Sequence, residues 1–362
     1  MKEEKSKISF SEFRDPDFQR LAGLTAKTYP GREIADAGYL NWEYLQNPDG
    51  KALVCVAEDE KTVVSQYLVL PRWYRINGSP VKGSLSVNTL THPDYRGKGL
   101  FPKLAEMTYE NAVISGIAFT AGFPNPISSP VFAGKLKFTT AGYMPFYAKP
   151  LRPFQVLKKY ILRKEVQRGA EPALQFADDR SGANTSFHIS VFNPETDAFI
   201  YQDFLERFLS HKINCALRDL NFIKWRYVDI PLRRYHLFKI VVDQRMEALV
   251  IIRSAELFGL KTILVMELLF SHEENSAQAA NHLLQWVSGQ ASGNAMDLVV
   301  IARQDSSGWK LPLLRQGFFP VPKRFLPQPL EFILRAHNEQ LEQEYFFDFR
   351  NWYLNLGDSD VF

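Results

Sequence analysis

The chain has 362 residues, a formal net charge of +3 and an apolar content of 46%. A domain typically takes about 150 residues, so this length and composition are typical of a mixed α/β protein of two domains. They exclude a membrane-spanning helix, because no stretch approaches the roughly 18 apolar residues that one requires, and the small charge argues against a general nucleic-acid-binding surface.

The N-terminus and the cysteines favour a cytoplasmic location. The first ten residues, MKEEKSKISF, carry charges of both signs and no apolar core, so we expect no secretory signal. The two cysteines are far apart, and Cys55 lies in the apolar run LVCVA, which is typical of a buried strand. We therefore expect free thiols, and neither a disulfide framework nor a zinc site of paired cysteines.

One spacing of aromatic residues and proline occurs twice. The segment WEYLQNP at residues 42–48 has Trp, Tyr and Pro at relative positions 0, +2 and +6, and WRYVDIP at residues 225–231 repeats this 183 residues later (225 − 42). The same order of segments follows each copy: an apolar run, further strand-like segments, a helix-like segment, a second apolar run and a Pro-Leu pair. The matched ranges are 53–57 and 237–242, 101–115 and 276–291, 117–121 and 298–302, and 150–151 and 329–330. This shared order indicates a duplicated α/β unit.

Between the two copies lies a basic stretch, residues 149–168, and then a Gly/Ala/Ser-rich stretch over residues 169–186 that is typical of a linker. The basic stretch is either a helix that binds a membrane surface or phosphate or a connecting helix with a cationic solvated face, and we favour the second. The predicted organisation is a first domain over residues 1–152, a basic linker over 153–186, a second domain over 187–335 and a C-terminal tail over 336–362.

The first copy predicts a strand, a glycine-bearing loop and a helix in that order. Residues 63–70 and 85–90 form short β-branched and apolar runs, which predict strands. The Asn77-Gly78 pair between them is a strong hairpin signal. From Pro102 onward the apolar residues follow a helical period, and proline is tolerated in the first turn of a helix.

The loop between that strand and that helix carries the clearest chemical signal. It reads LTHPDYRGKGLF over residues 90–101. Glycine lets the backbone approach a ligand closely, and the unpaired N–H groups at a helix start favour an anion. Arg96 and Lys98 add cationic donors. The spacing fits neither the P-loop nor the dinucleotide fingerprint, so the loop is either a phosphate site or a basic turn that caps a helix.

In this context the loop resembles the acyl-CoA pyrophosphate loop of the GNAT superfamily of N-acyltransferases, whose pattern is R/Q-x-x-G-x-G/A. The first five positions are matched by Arg96, Gly97, Lys98, Gly99 and Leu100, whereas Phe101 stands where a small residue is usual. The resemblance implies that Leu90 and Thr91 offer backbone groups to the pantetheine arm of the acyl donor. It also implies that the segment from Arg96 to Phe101 holds the pyrophosphate.

A second GNAT-like pattern, N-x-x-A-x-x-L-Y, is similar to residues 125–132. Asn125 fits its first position, Ser128 replaces the alanine, and Phe132 stands where the family often has a tyrosine general acid, so that hydroxyl is missing here. The resemblance implies that Asn125 and Ser128 also contact the cofactor. It covers residues 8–151 well, with a fold of two GNAT-like domains, each a mixed and mostly antiparallel twisted sheet flanked by helices.

The second copy resembles a degenerate GNAT domain. Its stretch at residues 270–276 has no glycine and two acids, which would repel a pyrophosphate. We therefore expect one cofactor site in each chain, in the first copy. Tandem halves of this kind also occur in the enhanced-intracellular-survival acetyltransferases, in which the C-terminal carboxylate reaches the active site. The apolar, acid-bearing end of this chain either returns to the cleft between the halves or docks on the surface.

The resemblance implies acyl transfer from a thioester to an amine. An edge N–H near residues 88–91 is the candidate for polarising the thioester carbonyl. The candidate proton acceptors are carboxylates, and the candidate proton donors to sulfur are tyrosines. The acceptors are Asp358, Asp360, the Phe362 carboxylate and Glu267, and the donors are Tyr143 and Tyr147.

The leading hypothesis is an N-acyltransferase that uses acetyl-CoA or another acyl-CoA as co-substrate and a small-molecule amine as acceptor. By resemblance alone we favour an amino sugar as that acceptor. The alternative is a non-catalytic module that binds CoA or an acyl carrier, and a third hypothesis is a nucleotide-sugar binder. No metal site is expected, because no two of the seven histidines have H-x-x-x-H spacing.

Overall fold

The computed structural model describes residues 8–14, 18–162, 171–177, 187–305, 312–326, 328–341 and 343–359. We call residues 8–162 the first half and residues 171–359 the second half. The strands of the first half are β1 (Ser9–Glu12), β2 (Leu53–Asp59), β3 (Thr62–Ile76), β4 (Ser79–Thr91), β5 (Phe119–Gly122), β6 (Thr139–Tyr143) and β7 (Phe146–Pro150). Its helices are α1 (Gln19–Thr28), α2 (Ala37–Leu45), α3 (Leu100–Ile114), α4 (Ser129–Gly134) and α5 (Pro153–Leu162).

The second half contributes nine further strands among the described residues. They are β8 (His188–Val191), β9 (Asn214–Ala216), β10 (His236–Val242), β11 (Arg245–Leu257), β12 (Leu260–Phe270), β13 (Leu298–Gln304), β14 (Phe319–Pro320), β15 (Glu331–Ala336) and β16 (Trp352–Asn355). The helices are α6 (Ala198–Leu209), α7 (Leu220–Tyr227), α8 (Glu274–Gly293) and α9 (Glu344–Phe347).

Both halves repeat one arrangement. In the first half β2, β3 and β4 pair antiparallel, and α3 then crosses to β5, which pairs parallel to β4. In the second half β10, β11 and β12 pair antiparallel, and α8 crosses to β13, which pairs parallel to β12. A parallel pair needs such a helical crossover. The mixed α/β fold expected from the sequence is therefore confirmed.

The crossover helices form because their apolar residues recur at helical spacing and bury one face against the sheet. In α3 this face contains Leu104, Ala105 and Tyr109, all buried, and in α8 it contains Leu283 and Val287. The predicted helices at residues 101–115 and 276–291 agree with α3 and α8 to within one or two residues. Pro102 lies in the first turn of α3, where a missing N–H costs little.

The strands around β3 and β4, called the first sheet, and those around β11 and β12, called the second sheet, are joined through short strands into one continuous sheet. The short strand β9 pairs with β3 on one side and with β16 on the other, and β16 also pairs with β13. The largest apolar cluster accordingly contains buried residues of both halves. The C-terminal tail is thus built into the junction between the halves.

Each half also gives one strand to the other. β7 pairs with β13 and β14 of the second half, whereas β15 lies between β5 and β6 of the first half. The expected boundaries at residues 152 and 335 therefore need correction, because residues 146–150 belong to the second sheet and residues 331–336 to the first. Each exchanged strand supplies the hydrogen-bonding neighbour that the edge of the other sheet needs.

Part of the expected linker packs on the second half. Helix α5 follows β7, and the Lys159 ammonium donates to the carbonyl of Gly259 and lies 3.2 Å from a carboxylate oxygen of Asp297. The backbone amide of Gln175 donates to the side-chain oxygen of Asn294, which follows the last residue of α8, at 2.7 Å. The rest of the linker, residues 163–170 and 178–186, lies outside the described residues. In the described part of the chain, no helix has the length and apolarity that crossing a bilayer would demand.

Candidate active site

The loop between β4 and α3 is open to solvent. Gly97 has a φ of +77° and Gly99, which precedes the first residue of α3, a φ of +74°. L residues with side chains adopt this region at a cost, which explains the glycines. A Cβ built on either glycine would meet nothing within 4 Å. The space above the start of α3 is therefore free of neighbouring side chains in the described residues.

Main-chain N–H groups are available at this helix start. The amides of Tyr95 and Arg96 donate to His92 and Pro93 at 2.9 and 3.2 Å. From Gly97 to Gly99, by contrast, the amides make no hydrogen bond within the described residues, and no side chain caps α3. The first amides of a helix have no intrahelical partner and lie at the positive end of its dipole. Together they form a site for an anion such as a pyrophosphate.

The side chains of the loop add positive charge and hold its base in place. Arg96 and Lys98 are exposed, and the Lys98 ammonium lies 4.4 Å from the ring centroid of Tyr95. The Tyr95 hydroxyl donates to a carboxylate oxygen of Asp59 on β2 at 2.5 Å. The cationic groups can thus move towards a ligand while Tyr95 fixes the loop to the sheet.

Next to this loop β4 and β5 separate. Their parallel pairing extends from Ser84–Thr120 to Ser86–Gly122 and stops there. The register of β3 against β4 then shifts, and Asn88 takes a φ of +48°, so β4 carries a bulge immediately after the last pair with β5. A bulge bends its strand and interrupts pairing. The result is a gap between two strands that leads towards the loop.

The predicted contacts at Leu90 and Thr91 lie at the end of this gap. Leu90 is buried, and its carbonyl accepts a hydrogen bond from the Ser65 hydroxyl at 3.0 Å. The Thr91 hydroxyl lies 2.8 Å from the same Ser65 hydroxyl. Both residues lie between the bulge and the glycines, and their contact with the pantetheine arm stays a prediction.

An aromatic cluster explains the phenylalanine at position 101. The Phe101 ring packs on Tyr67 with a centroid distance of 5.7 Å and edge-on against Phe132 at 5.2 Å. Its side chain belongs to the core beneath α3 and leaves the space above the helix start free. Phe132 is buried on α4, and the hydroxyl groups of Tyr67 and Tyr109 lie 2.6 Å apart in the same cluster. Burial raises the pKa of Tyr67 to about 12.

Asn125 and Ser128 shape the start of α4. The Asn125 side-chain oxygen accepts hydrogen bonds from the amides of Ile127 and Ser128 at 3.0 and 2.9 Å. This is an Asx-type turn, which is a common local role for asparagine. Their contact with a cofactor stays a prediction, because the structure gives both residues a role in the turn itself.

The repeated tryptophans meet at the centre of the molecule. The indole N–H of Trp42 donates to the carbonyl of Trp225 at 3.1 Å, and the indole N–H of Trp225 donates to the carbonyl of Trp42 at 3.2 Å. The rings stack with a centroid distance of 4.8 Å. This reciprocal pair relates α2 of the first half to α7 of the second half, as the 183-residue spacing of the two motifs implied.

A cavity of about 40 Å³ lies beside this pair, between the halves. Its lining comes from α2, β3, β4, α7 and the C-terminal segment. The lining residues are Trp42, Glu43, Asn47, Leu70, Pro71, Arg72, Leu85, Val87, Phe222, Trp225, Arg226, Gly357, Asp358 and Ser359. The Glu43 carboxylate accepts a hydrogen bond of 2.7 Å from the side chain of Asn88, the residue at the β4 bulge. The cavity and the gap between β4 and β5 therefore adjoin the same short segment of β4.

Two of the predicted proton acceptors belong to a buried ion network. Arg218 is fully buried and donates to Glu267 at 3.0 Å and to Asp358 at 2.5 Å. Glu267 also accepts from the hydroxyl of Tyr227 and the amide group of Asn355, both at 2.7 Å. Burial raises the pKa of Glu267, and the Arg218 charge opposes that rise. These contacts favour a structural role for Asp358 and Glu267, and proton removal by either carboxylate stays a prediction.

The other catalytic candidates are not brought together at the loop. Tyr147 lies on β7, opposite Ile301 in the second sheet, and packs against the apolar cluster of the second half. Tyr143 lies on β6, and the Lys323 ammonium sits 3.2 Å from its ring centroid. Asp360 and Phe362 fall outside the described residues. Their proposed roles stay predictions.

The equivalent loop of the second half differs in charge and length. Only residues 271–273 separate β12 from α8. Glu273 precedes the helix and lies 3.4 Å from the guanidinium groups of Arg207 and Arg245. Ser276, in the first turn, is fully buried and donates its hydroxyl hydrogen to Glu247. Carboxylates thus surround the position that an anion would take.

Comparison with known proteins agrees with this geometry. A family model described as an acetyltransferase (GNAT) domain matches residues 10–141, which contain β4, the open loop and α3. Residues 10–141 are therefore similar to a GNAT domain, and this match lies within the first half of the chain. No curated protein sequence matches the chain.

Solved structures of known or probable N-acyltransferases resemble almost the whole chain in fold. A probable N-acyltransferase of unknown function from Enterococcus faecalis is 12% identical, with a TM-score of 0.62 over 91% of this chain and 73% of that one. A GCN5-related N-acetyltransferase from Anabaena variabilis is 14% identical, with a TM-score of 0.61 over 92% and 74%. The N-myristoyltransferase of Saccharomyces cerevisiae, solved with bound myristoyl-CoA, is 13% identical, with a TM-score of 0.60 over 91% and 79%. At these identities the likeness is one of fold.

Sequence reasoning missed the polar residues of the cavity. Arg72 lies on β3 but beyond the strand predicted over residues 63–70, so no local pattern marked it as buried. Glu43 lies inside the WEYLQNP motif, but the repeated spacing consists of Trp, Tyr and Pro and does not include it. Nothing in the sequence indicated that Asn88 would take the bulge and contact Glu43.

Proposed function

We propose that the protein is an N-acyltransferase that moves an acyl group from acyl-CoA to an amine acceptor. The observation that carries this proposal is the row of free amides from Gly97 to Gly99 at the start of α3. Arg96 and Lys98 supplement these amides with positive charge, as a diphosphate requires. In this proposal Leu100 and Phe101 complete the first turn that faces the diphosphate.

The gap between β4 and β5 gives the pantetheine arm a route from the loop to the bulge at Asn88. Strand amides beyond Ser86 have no partner on β5, so one of them can donate to the oxygen of the thioester carbonyl as negative charge develops there. The amine nitrogen attacks the carbonyl carbon, the carbon–sulfur bond breaks, and the thiolate takes up a proton. Orientation of the two reactants in the gap supplies much of the rate, since effective molarities can reach about 10⁵ M or more.

The likeness to the yeast enzyme supports the acyl-CoA part of the proposal, because that enzyme is described with bound myristoyl-CoA. Our choice of acetyl as the acyl group, and of an amino sugar among the small amines, rests on resemblance to the family. Asp360 and the Phe362 carboxylate are retained as proposed proton acceptors, because Asp358 is engaged by Arg218.

Arg96→Glu tests the loop directly. We expect CoA affinity to fall about 100-fold or more, because the change removes a cationic donor and adds a like charge to the diphosphate. Titration calorimetry measures this, and Lys135→Glu, an exposed charge reversal beyond α4, serves as the matched control with affinity unchanged. Equal CoA affinity for Arg96→Glu and the wild type would refute the assignment.

Thiol release from acetyl-CoA in the presence of a panel of amines tests turnover. The proposal predicts release with at least one amine. CoA binding without release for any amine would favour the non-catalytic binding module instead.

A further inference from the structure

The cavity between the halves contains buried polar atoms that lack hydrogen-bond partners. Arg72 is 5% exposed and Asp358 is 3% exposed. Within the described residues, Nε and Nη2 of Arg72 and Oδ1 of Asp358 make no hydrogen bond. Nη2 lies 3.0 Å from Oδ1, but the two groups are not aligned for donation. Buried polar atoms are normally hydrogen-bonded, so Nε of Arg72 and the ion pair of Nη2 with Oδ1 keep hydrogen-bonding capacity that a ligand in the cavity can use.

Contacts with neighbouring residues position the side chains of Arg72 and Asp358 at the cavity. The Arg72 guanidinium lies 4.3 Å from the ring centroid of Phe222. The other carboxylate oxygen of Asp358 accepts from Arg218 at 2.5 Å and from the backbone amide of Asn355 at 2.8 Å. The cavity therefore presents a preformed donor and a preformed acceptor side by side.

The charges of the lining select a neutral group. Arg72 and Arg226 would repel a cation, and Glu43 and Asp358 would repel an anion. A hydroxyl group fits both neighbours, because its oxygen accepts from Arg72 while its hydrogen is donated to Asp358. About 40 Å³ holds a hydroxyl with its carbon atom, since a water needs roughly 10–15 Å³ on this measure.

The position of the cavity indicates what carries that hydroxyl. Leu85 and Val87 of β4 form one wall, and the next residue, Asn88, lies at the bulge that follows the last pair of β4 with β5. A molecule anchored in the cavity would thus extend towards the part of β4 where the thioester is proposed to lie.

We propose that Arg72 and Asp358 bind a hydroxyl group of the acyl acceptor, so that the acceptor class is hydroxylated amines. This inference rests on the proposed function for the identity of the occupant.

The first measurement compares amines that differ in their hydroxyl groups. Glucosamine is set against cyclohexylamine, and 5-amino-1-pentanol against hexylamine, in the thiol-release assay with acetyl-CoA. We expect kcat/KM to be roughly 10- to 100-fold higher for the hydroxylated member of at least one pair, since the hydrogen bonds involve charged partners.

The second measurement removes the donor. Arg72→Gln should reduce that preference to about twofold or less, whereas Arg75→Gln, on the same strand but outside the cavity lining, should keep it. Asp358→Asn, which retains one oxygen for Arg218, is the second variant should Arg72→Gln fold poorly. CoA affinity, set by the loop on α3, reports for each variant whether the fold is intact.

Calorimetric binding of glucosamine to the CoA-saturated protein separates the two proposals. Glucosamine binding that Arg72→Gln weakens at least tenfold, with no thiol release from acetyl-CoA for any amine of the panel, would support the hydroxyl site and refute the acyltransferase. Thiol release at equal rates for the paired amines, or a preference that survives in both Arg72→Gln and Asp358→Asn, would overturn the inference and leave the acyltransferase standing.

Discussion

The two halves contain the same strand–loop–helix unit, but the loops before the two helices differ in length, glycine content and charge. In the first half residues 92–99 join β4 to α3, and Gly97 and Gly99 leave the helix start exposed. In the second half residues 271–273 join β12 to α8, and Glu273 stands in front of the helix. The helix dipole is present in both. Loop length, glycine and charge therefore decide which half can bind an anion, and the fold alone does not.

A second contrast lies at the bulge of the equivalent strands. In the first half Asn88 contacts Glu43 at 2.7 Å and the Tyr44 hydroxyl at 3.1 Å beside the cavity. In the second half Glu267 follows the bulge of β12, and Arg218 and Tyr227 hold its carboxylate. The position after the bulge in the second half thus anchors the C-terminal segment.

The largest loss of stability is expected when Arg218 is removed from its contacts with Glu267 and Asp358. Arg218→Met leaves the Glu267 and Asp358 carboxylates buried without their main partner, and removal of one member of a buried ion pair costs about 3–5 kcal/mol. Chemical denaturation should show a loss of this size in the free energy of unfolding.

The matched control for Arg218→Met is Arg245→Met. The Arg245 side chain is 51% exposed and pairs with Glu273, itself 46% exposed. An exposed pair is worth about 1 kcal/mol or less. Similar losses for the two variants would contradict the role given to Arg218.

Acid should lower the stability of the protein through His337, which directly follows β15. Burial, aided by the charge of Arg335, lowers the pKa of His337 from 6.5 to about 4. Between pH 6.5 and 4 the His337 side chain is therefore protonated in the unfolded chain and neutral in the folded one. The free energy of unfolding falls by about 1–3 kcal/mol as the pH drops through this window.

His337→Gln removes this titration. Glutamine can keep a hydrogen bond to the Thr120 hydroxyl, which lies 2.8 Å from His337 Nε2. Unfolding free energies measured at pH 7 and pH 4.5 should differ less in the variant than in the wild type. An equal loss in both proteins would show that His337 does not carry the effect.

The smallest changes in stability are expected from two glycine-to-alanine substitutions, one in each half, and they should have opposite signs. Gly99→Ala forces a side chain into a φ of +74° and should cost about 1 kcal/mol and weaken CoA binding. Gly289→Ala, inside α8 with nothing within 4 Å of the added Cβ, should stabilise the protein by about 0.5–1 kcal/mol. Melting temperatures measure both, and a gain in stability for Gly99→Ala would contradict the loop geometry.

Local patterns predicted the elements and the loop. The apolar period located α3 and α8, and the R-G-K-G sequence located the open helix start. The W-x-Y spacing predicted the duplication that appears as the Trp42–Trp225 pair. These features are set by neighbours in the sequence, so one sequence suffices to read them.

Contacts between distant segments could not be predicted in the same way. Nothing local in residues 146–150 distinguishes a strand of the first sheet from one of the second, because pairing depends on which edge is free. The Arg218–Glu267–Asp358 network joins three separate segments, so Asp358 resembled a free carboxylate in the sequence. The cavity at Arg72 depends on both halves and on the tail at once.

A crystal structure of the protein with bound CoA tests the central claim most directly. We predict one CoA in each chain, with its diphosphate within about 2.7–3.2 Å of the amides between Gly97 and Phe101, and none at the start of α8. A diphosphate bound elsewhere, or at the start of α8, would contradict the account.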